Sequence, residues 1–153
     1  LGVKCLPGPM AGFHDRDDTQ PLSVSVTLHD IQTNSKSGEE EEQQQFEAEE
    51  EAYNDCHMTT SVDGSGFSPV WKDRGKKFVV HQPDIAMLLF QVMVKNKKRK
   101  ASRSGNKSTL CVASASIPVS CLRKGYRSIQ FFDKNNCRTG SLRYASLLVH
   151  IEY

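Results

Sequence analysis

The sequence predicts an all-β fold, an eight-stranded antiparallel β-sandwich, on three observations. Leu22-Ser23-Val24-Ser25-Val26-Thr27-Leu28 places four apolar side chains on one face and small polar ones on the other, the pattern of a half-buried strand. Similar runs recur along the chain between clusters of Gly, Pro, Asn and Asp, and eight short strands with turn signals between them favour an antiparallel sandwich. Finally, 153 residues with 37% hydrophobic and 25% charged content suit one domain with a single core, so residues 1–153 are expected to form one unit.

In chain order the expected strands are 1–6, 22–28, 52–60, 76–80, 87–94, 110–117, 127–132 and 144–151. Between the second and third lies the segment 33–51, whose centre reads Ser37-Gly38-Glu39-Glu40-Glu41-Glu42-Gln43-Gln44-Gln45-Phe46-Glu47-Ala48-Glu49-Glu50-Glu51. It is a low-complexity acidic insert with too little apolar surface to order itself. Such an insertion is tolerated in a surface loop because added residues cost little closure entropy; an acidic partner-binding role is the alternative.

Charge is divided along the chain. Residues 1–84 carry net −9, residues 85–132 carry ten Lys or Arg and no Asp or Glu, and the last 21 residues add +1. Seven of those cations, Lys95, Lys97, Lys98, Arg99, Lys100, Arg103 and Lys107, fall between two expected strands. They are therefore expected on a loop held by a scaffold, where recognition is commonly found, and the asymmetry indicates charge placed for an anionic partner.

Cys5, Cys56, Cys111, Cys121 and Cys137 are odd in number and contain no CxxC pair, which reads as reduced thiols in an intracellular protein, with Cys111 expected in the core. No apolar run is long enough to span a bilayer and no signal-peptide pattern opens the chain. The chain begins Leu1-Gly2-Val3-Lys4-Cys5 without an initiator Met, so a longer parent is expected. His14, His29, His57, His81 and His150 are scattered, with no HExxH, GxSxG or glycine-rich phosphate loop. A binding module is favoured over a catalyst.

One turn is more specific. Asp63-Gly64-Ser65-Gly66-Phe67-Ser68-Pro69-Val70-Trp71 combines glycines for a reversal, a Pro that fixes the exit, and a Trp expected to pin the loop to the core. It resembles the GFNPxW turn of the C2 domain of eukaryotic phosphoinositide-specific phospholipase C, with Ser68 at the usual Asn. Val80-His81-Gln82-Pro83-Asp84-Ile85-Ala86-Met87-Leu88-Leu89-Phe90, Ile117-Pro118-Val119-Ser120-Cys121-Leu122-Arg123-Lys124-Gly125-Tyr126-Arg127 and Ala145-Ser146-Leu147-Leu148-Val149-His150-Ile151 are similar, in order, to later segments of that domain.

The resemblance implies a C2 sandwich of phospholipase C-type topology, whose loops at one end meet calcium and phospholipid. Strand parity puts the loops at 7–20, 62–70, 95–109 and 133–141 at that end, and the acidic insert and the Pro118–Tyr126 connection at the other. The family's aspartates on the third loop correspond to Val94 and Asn96. Asp15, Asp17, Asp18 and Asp63 remain as partial calcium ligands, but a polybasic loop repels a divalent cation, so little or no calcium is expected here. The parent's catalytic barrel domain is where the resemblance places a catalytic calcium.

The expected partners are an anionic phospholipid membrane surface, the parent's catalytic barrel domain and acidic proteins. Nucleic acid is disfavoured because no aromatic side chain interleaves the basic loop. The resemblance implies a cytoplasmic, peripheral membrane module of a protein that hydrolyses phosphatidylinositol 4,5-bisphosphate in lipid signalling. The alternative is a scaffold module of a catalytically inactive relative. Ser102 and Ser104 follow Arg99-Lys100, where phosphorylation would offset part of the charge.

Overall fold

The computed structural model describes residues 1–6, 22–33, 50–60, 71, 73–95 and 109–153. Eight strands are present: β1 (Gly2–Leu6), β2 (Leu22–Thr33), β3 (Glu50–Met58), β4 (Lys76–Lys77), β5 (Met87–Lys95), β6 (Thr109–Pro118), β7 (Gly125–Gln130) and β8 (Ser146–Glu152). They form two four-stranded sheets, ordered β4-β1-β8-β7 and β3-β2-β5-β6, with every pairing antiparallel. Two short 3-10 turns, Val119–Cys121 and Gly140–Leu142, are the helical elements among the described residues. This all-β, two-sheet architecture fits the expected sandwich.

Alternation builds the core. Val24, Val26 and Leu28 of β2, Leu88, Phe90 and Val92 of β5, and Leu147, Val149 and Ile151 of β8 are fully buried in one cluster fed by both sheets. Three links join the sheets at their margins. Lys76 of β4 pairs with Asp55 of β3 at 3.0 Å. Phe132, just beyond β7, exchanges backbone hydrogen bonds with Ser114 of β6. The Tyr153 hydroxyl donates to the Leu122 carbonyl at 2.6 Å, bringing the end of β8 beside the turn that follows β6.

The registers then fix the two ends of the array. Leu22 faces Val94, Lys95 faces Thr109, Leu6 faces Leu148 and Gln130 faces Ser146. The strand ends joined by residues 7–21, 96–108 and 131–145 therefore share one end, and those joined by 34–49 and 119–124 share the other. The connection from β3 to β4 behaves differently from simple parity. It leaves the first end at Thr59, whose N–H donates to Val24, but reaches Lys76 opposite Val3, near the start of β1.

Three expectations need correction. The β2–β3 ladder runs on to Thr33 opposite Glu50 and Gln32 opposite Glu51, so these strand residues do not belong to the acidic insert, whose residues 34–49 lie outside the described set. The fourth strand is only two residues long, with one further reciprocal backbone pair between Phe78 and Leu1 beyond it. Cys111 is exposed and Cys5 is the buried thiol. A register shift at Val92/Met93 pairs Met93 with Cys111 and Val92 with Ala113, leaving Val112 as an extra residue that turns Cys111 to the outer face. The Cys111 thiol there accepts from Gln91 Nε2 at 3.7 Å.

Candidate functional site

The end shared by the strand ends that 7–21, 96–108 and 131–145 join is the candidate site. Lys95 closes β5 opposite Thr109, which sets the two points from which the basic connection leaves and returns. Lys97, Lys98, Arg99, Lys100, Arg103 and Lys107 lie outside the described residues, as do Asp15, Asp17, Asp18 and Asp63. Val94, where the resemblance leads one to expect an aspartate, is 6% exposed and packs in the core. Trp71, expected as the anchor of the preceding turn, is 3% exposed in the same core. Among the described residues no three His, Cys, Asp or Glu side chains gather as a metal site.

The β7–β8 connection completes this end with described geometry. The Asp133 carboxylate accepts from the backbone N–H groups of Asn135 and Cys137 at 2.9 and 2.8 Å, and Asn136 adopts φ 58° to make the turn. Arg138 lies 5.9 Å from the Phe132 ring and donates to Gln130 Oε1 at 2.7 Å and to the Arg143 carbonyl at 3.0 Å. Leu142 and Ala145 are buried, and between them Arg143 and Tyr144 face solvent, with the guanidinium 5.4 Å from the tyrosine ring.

At the opposite end, Asp30 does structural work. It continues the inward alternation of β2 but carries a carboxylate, which accepts from the backbone N–H groups of His81 at 2.5 Å, Gln82 at 3.2 Å and Ile31 at 2.8 Å. The turn before β5 is thereby fastened to β2. Beside it, Ile31, Ile85, Met87, Leu89 and Ser116 line an apolar open groove of about 430 Å³ on the outer face of the β2-β5-β6 ladder. Sequence reasoning passed over both features. The signal for Asp30 was present, an acid at the inward parity of Val24, Val26 and Leu28; the groove required knowing which strands are neighbours.

A second groove of about 370 Å³, lined by Arg74, Lys76, Lys77, His150 and Glu152 among others, lies along the β4-β1-β8 margin. His150 Nδ1 meets Glu152 Oε1 at 3.2 Å and its ring lies 4.7 Å from Tyr126, a solvent-facing cluster on β7 and β8. No helix among the described residues is long and apolar enough to cross a membrane.

No family model matches the chain. It is similar to 1-phosphatidylinositol 4,5-bisphosphate phosphodiesterase zeta-1 of Mus musculus, at 28% identity over 96 residues, which is 63% of this chain and 13% of that protein. The protein of the same name from Rattus norvegicus matches with the same identity and coverage. The chain thus spans a small part of the length of the relatives it matches, and this likeness supports a relation to phosphoinositide phospholipase C.

Proposed function

We propose that this chain is a C2 module of a phosphoinositide phospholipase C-like protein, and that it docks on anionic phospholipid surfaces through its polybasic connection without calcium. One observation carries the reading: ten cations and no carboxylate between Ile85 and Phe132, six of them on the stretch that joins the adjacent antiparallel strands β5 and β6 and a seventh, Lys95, closing β5. The strand order, the two four-stranded sheets and the likeness to the phosphodiesterases support the module; the charge supports the ligand. A Lys or Arg close to an anionic leaflet contributes roughly 1 kcal/mol. Several together substitute for a bridging cation.

On this reading the parent hydrolyses phosphatidylinositol 4,5-bisphosphate through a separate catalytic barrel domain, and the present chain is its peripheral membrane anchor in the cytoplasm. Cosedimentation with phosphatidylserine-containing vesicles tests it, using Lys97→Gln, Lys98→Gln, Arg99→Gln and Lys100→Gln together. Unchanged sedimentation of that variant rejects the proposal.

A second reading is favoured by the apolar groove. Ile85 is 51% exposed beside Met87, Leu89 and Ile31, a patch suited to burial against the barrel or another protein. Capture of the barrel domain by the wild-type chain, lost in Ile85→Asp and insensitive to lipid, would favour this scaffold role.

A further inference from the structure

The β7–β8 connection presents an aromatic and a cation at the end from which the polybasic stretch departs. Gly140–Leu142 forms a 3-10 turn, with Leu142 N–H donating to Thr139, Arg143 N–H to Gly140 and Ala145 N–H to Leu142. Phe131 N–H in turn donates to the Ala145 carbonyl. Leu142 and Ala145 are buried in the core, so the two residues between them are held outward by anchors on both sides. Arg138 fixes the Arg143 carbonyl as well.

The result is a tip anchored on both sides. Tyr144 is 70% exposed although its neighbour Ala145 is fully buried, and Arg143 lies over its ring. Two other tyrosines are as exposed for different reasons: Tyr126 lies against His150 on the sheet face, and Tyr153 bonds Leu122 at the far end. Among the described tyrosines, Tyr144 alone is exposed at the end of the basic connection. Residues 131–145 carry Lys134, Arg138 and Arg143 against Asp133, whose carboxylate is engaged by its own turn.

We infer that Arg143 and Tyr144 form a second membrane contact, in which the phenol ring enters the headgroup layer and the guanidinium meets lipid phosphate. Tyrosine suits the membrane–water interface because its ring is apolar and its hydroxyl remains hydrated. A guanidinium matches phosphate in geometry as well as charge. Since Leu142 and Ala145 already hold the tip, little conformational entropy is lost when it docks. This contact rests on the proposed membrane role and adds a specific point of insertion to it.

The test uses the full chain with phosphatidylcholine vesicles, alone or containing phosphatidylserine. Arg143→Gln/Tyr144→Ala is expected to keep the thermal transition of wild type, because both side chains lie outside the core, and to bind anionic vesicles at least about five-fold more weakly, the loss of one cation alone. Tyr144→Trp, compared with wild type in which Trp71 is buried, is expected to shift its emission to the blue on anionic vesicles and to be quenched by brominated lipid.

Wild-type affinity in the double variant, with no blue shift in Tyr144→Trp, overturns the contact while leaving the polybasic anchor standing if the loop variant has lost binding. Failure of wild type to bind any anionic vesicle overturns both. Loss of polyglutamate binding by the double variant with vesicle binding intact would instead assign the tip to an acidic protein and reject the lipid contact.

Discussion

Asp30 and Cys5 show how single side chains decide local behaviour in this fold. Asp30 is 6% exposed and its carboxylate receives backbone donors from both sides of the β2–β5 junction. Removing it leaves those donors without their acceptor, and hydrogen bonds to a charged group are worth about 1.5–3 kcal/mol. Asp30→Ala is therefore expected to lower unfolding stability by about 2–3 kcal/mol in urea titration, and Asp30→Asn by less because the amide oxygen still accepts. Cys5 is the buried thiol, and burial, with the Asp73 charge second, pushes it up to about 12 from 9.0. The folded state retains this proton when the unfolded state releases it, so stability is full below about pH 9 and falls as pH rises toward 12. The slope is about 1.4 kcal/mol per pH unit for one group. Cys5→Ala should flatten the alkaline limb by that amount; an unchanged slope would mean that Cys5 ionises in the folded chain. A thiol reagent at neutral pH should correspondingly reach Cys56, Cys111, Cys121 and Cys137 in the native state and Cys5 only on unfolding.

At the scale of elements, Gly125 opens β7 with φ 97°, and a Cβ placed there would meet nothing within 4 Å. The cost of Gly125→Ala is thus backbone strain alone, about 1–2 kcal/mol, and Gly125→Asn should recover part of it because Asn tolerates positive φ better. Thermal unfolding of the pair measures both, and equal losses would point to packing instead. All eight strands were legible in the sequence because alternation and turn residues are local properties, and Val24, Val26, Leu28 and Ile151 announced their faces by parity alone. What escaped was set by partners distant in sequence. The Val92/Met93 register shift reversed Cys111, and β4 meets β1 over only Lys76 and Lys77. The extension of β2 to Thr33 depends on Glu50 and Glu51 supplying a partner ladder, which nothing in that acidic run reveals on its own. The basic stretch was the clearest feature of the sequence, since charge density needs no fold to be read. The Arg143–Tyr144 tip was hidden because its exposure follows from the burial of Leu142 and Ala145 on either side.

The whole molecule is electrically divided, with net −9 over residues 1–84 and +10 over residues 85–132, and the fold determines how that division meets a surface. The acidic insert leaves from Thr33 and returns at Glu50, at the end opposite to Lys95 and Thr109. Repulsion between an anionic leaflet and the insert therefore favours the orientation that presents the basic end. If fixed charge is the anchor, affinity for anionic vesicles must fall steeply with salt, because the screening length shortens from about 10 Å at 0.1 M to about 3 Å at 1 M. On the same proposal it must also be indifferent to calcium, since Val94 is a core residue and neither it nor Asn96 carries a carboxylate. Neutralising Lys97, Lys98, Arg99 and Lys100 removes four cations at roughly 1 kcal/mol each, an expected loss of about a hundred- to a thousand-fold in affinity. Vesicle titrations in chelator and in calcium, at low and high salt, separate the two mechanisms: a calcium anchor would fail in chelator, whereas a fixed-charge anchor would weaken only as salt rises. Binding that requires calcium and ignores the four substitutions would return the role of bridge to a bound cation.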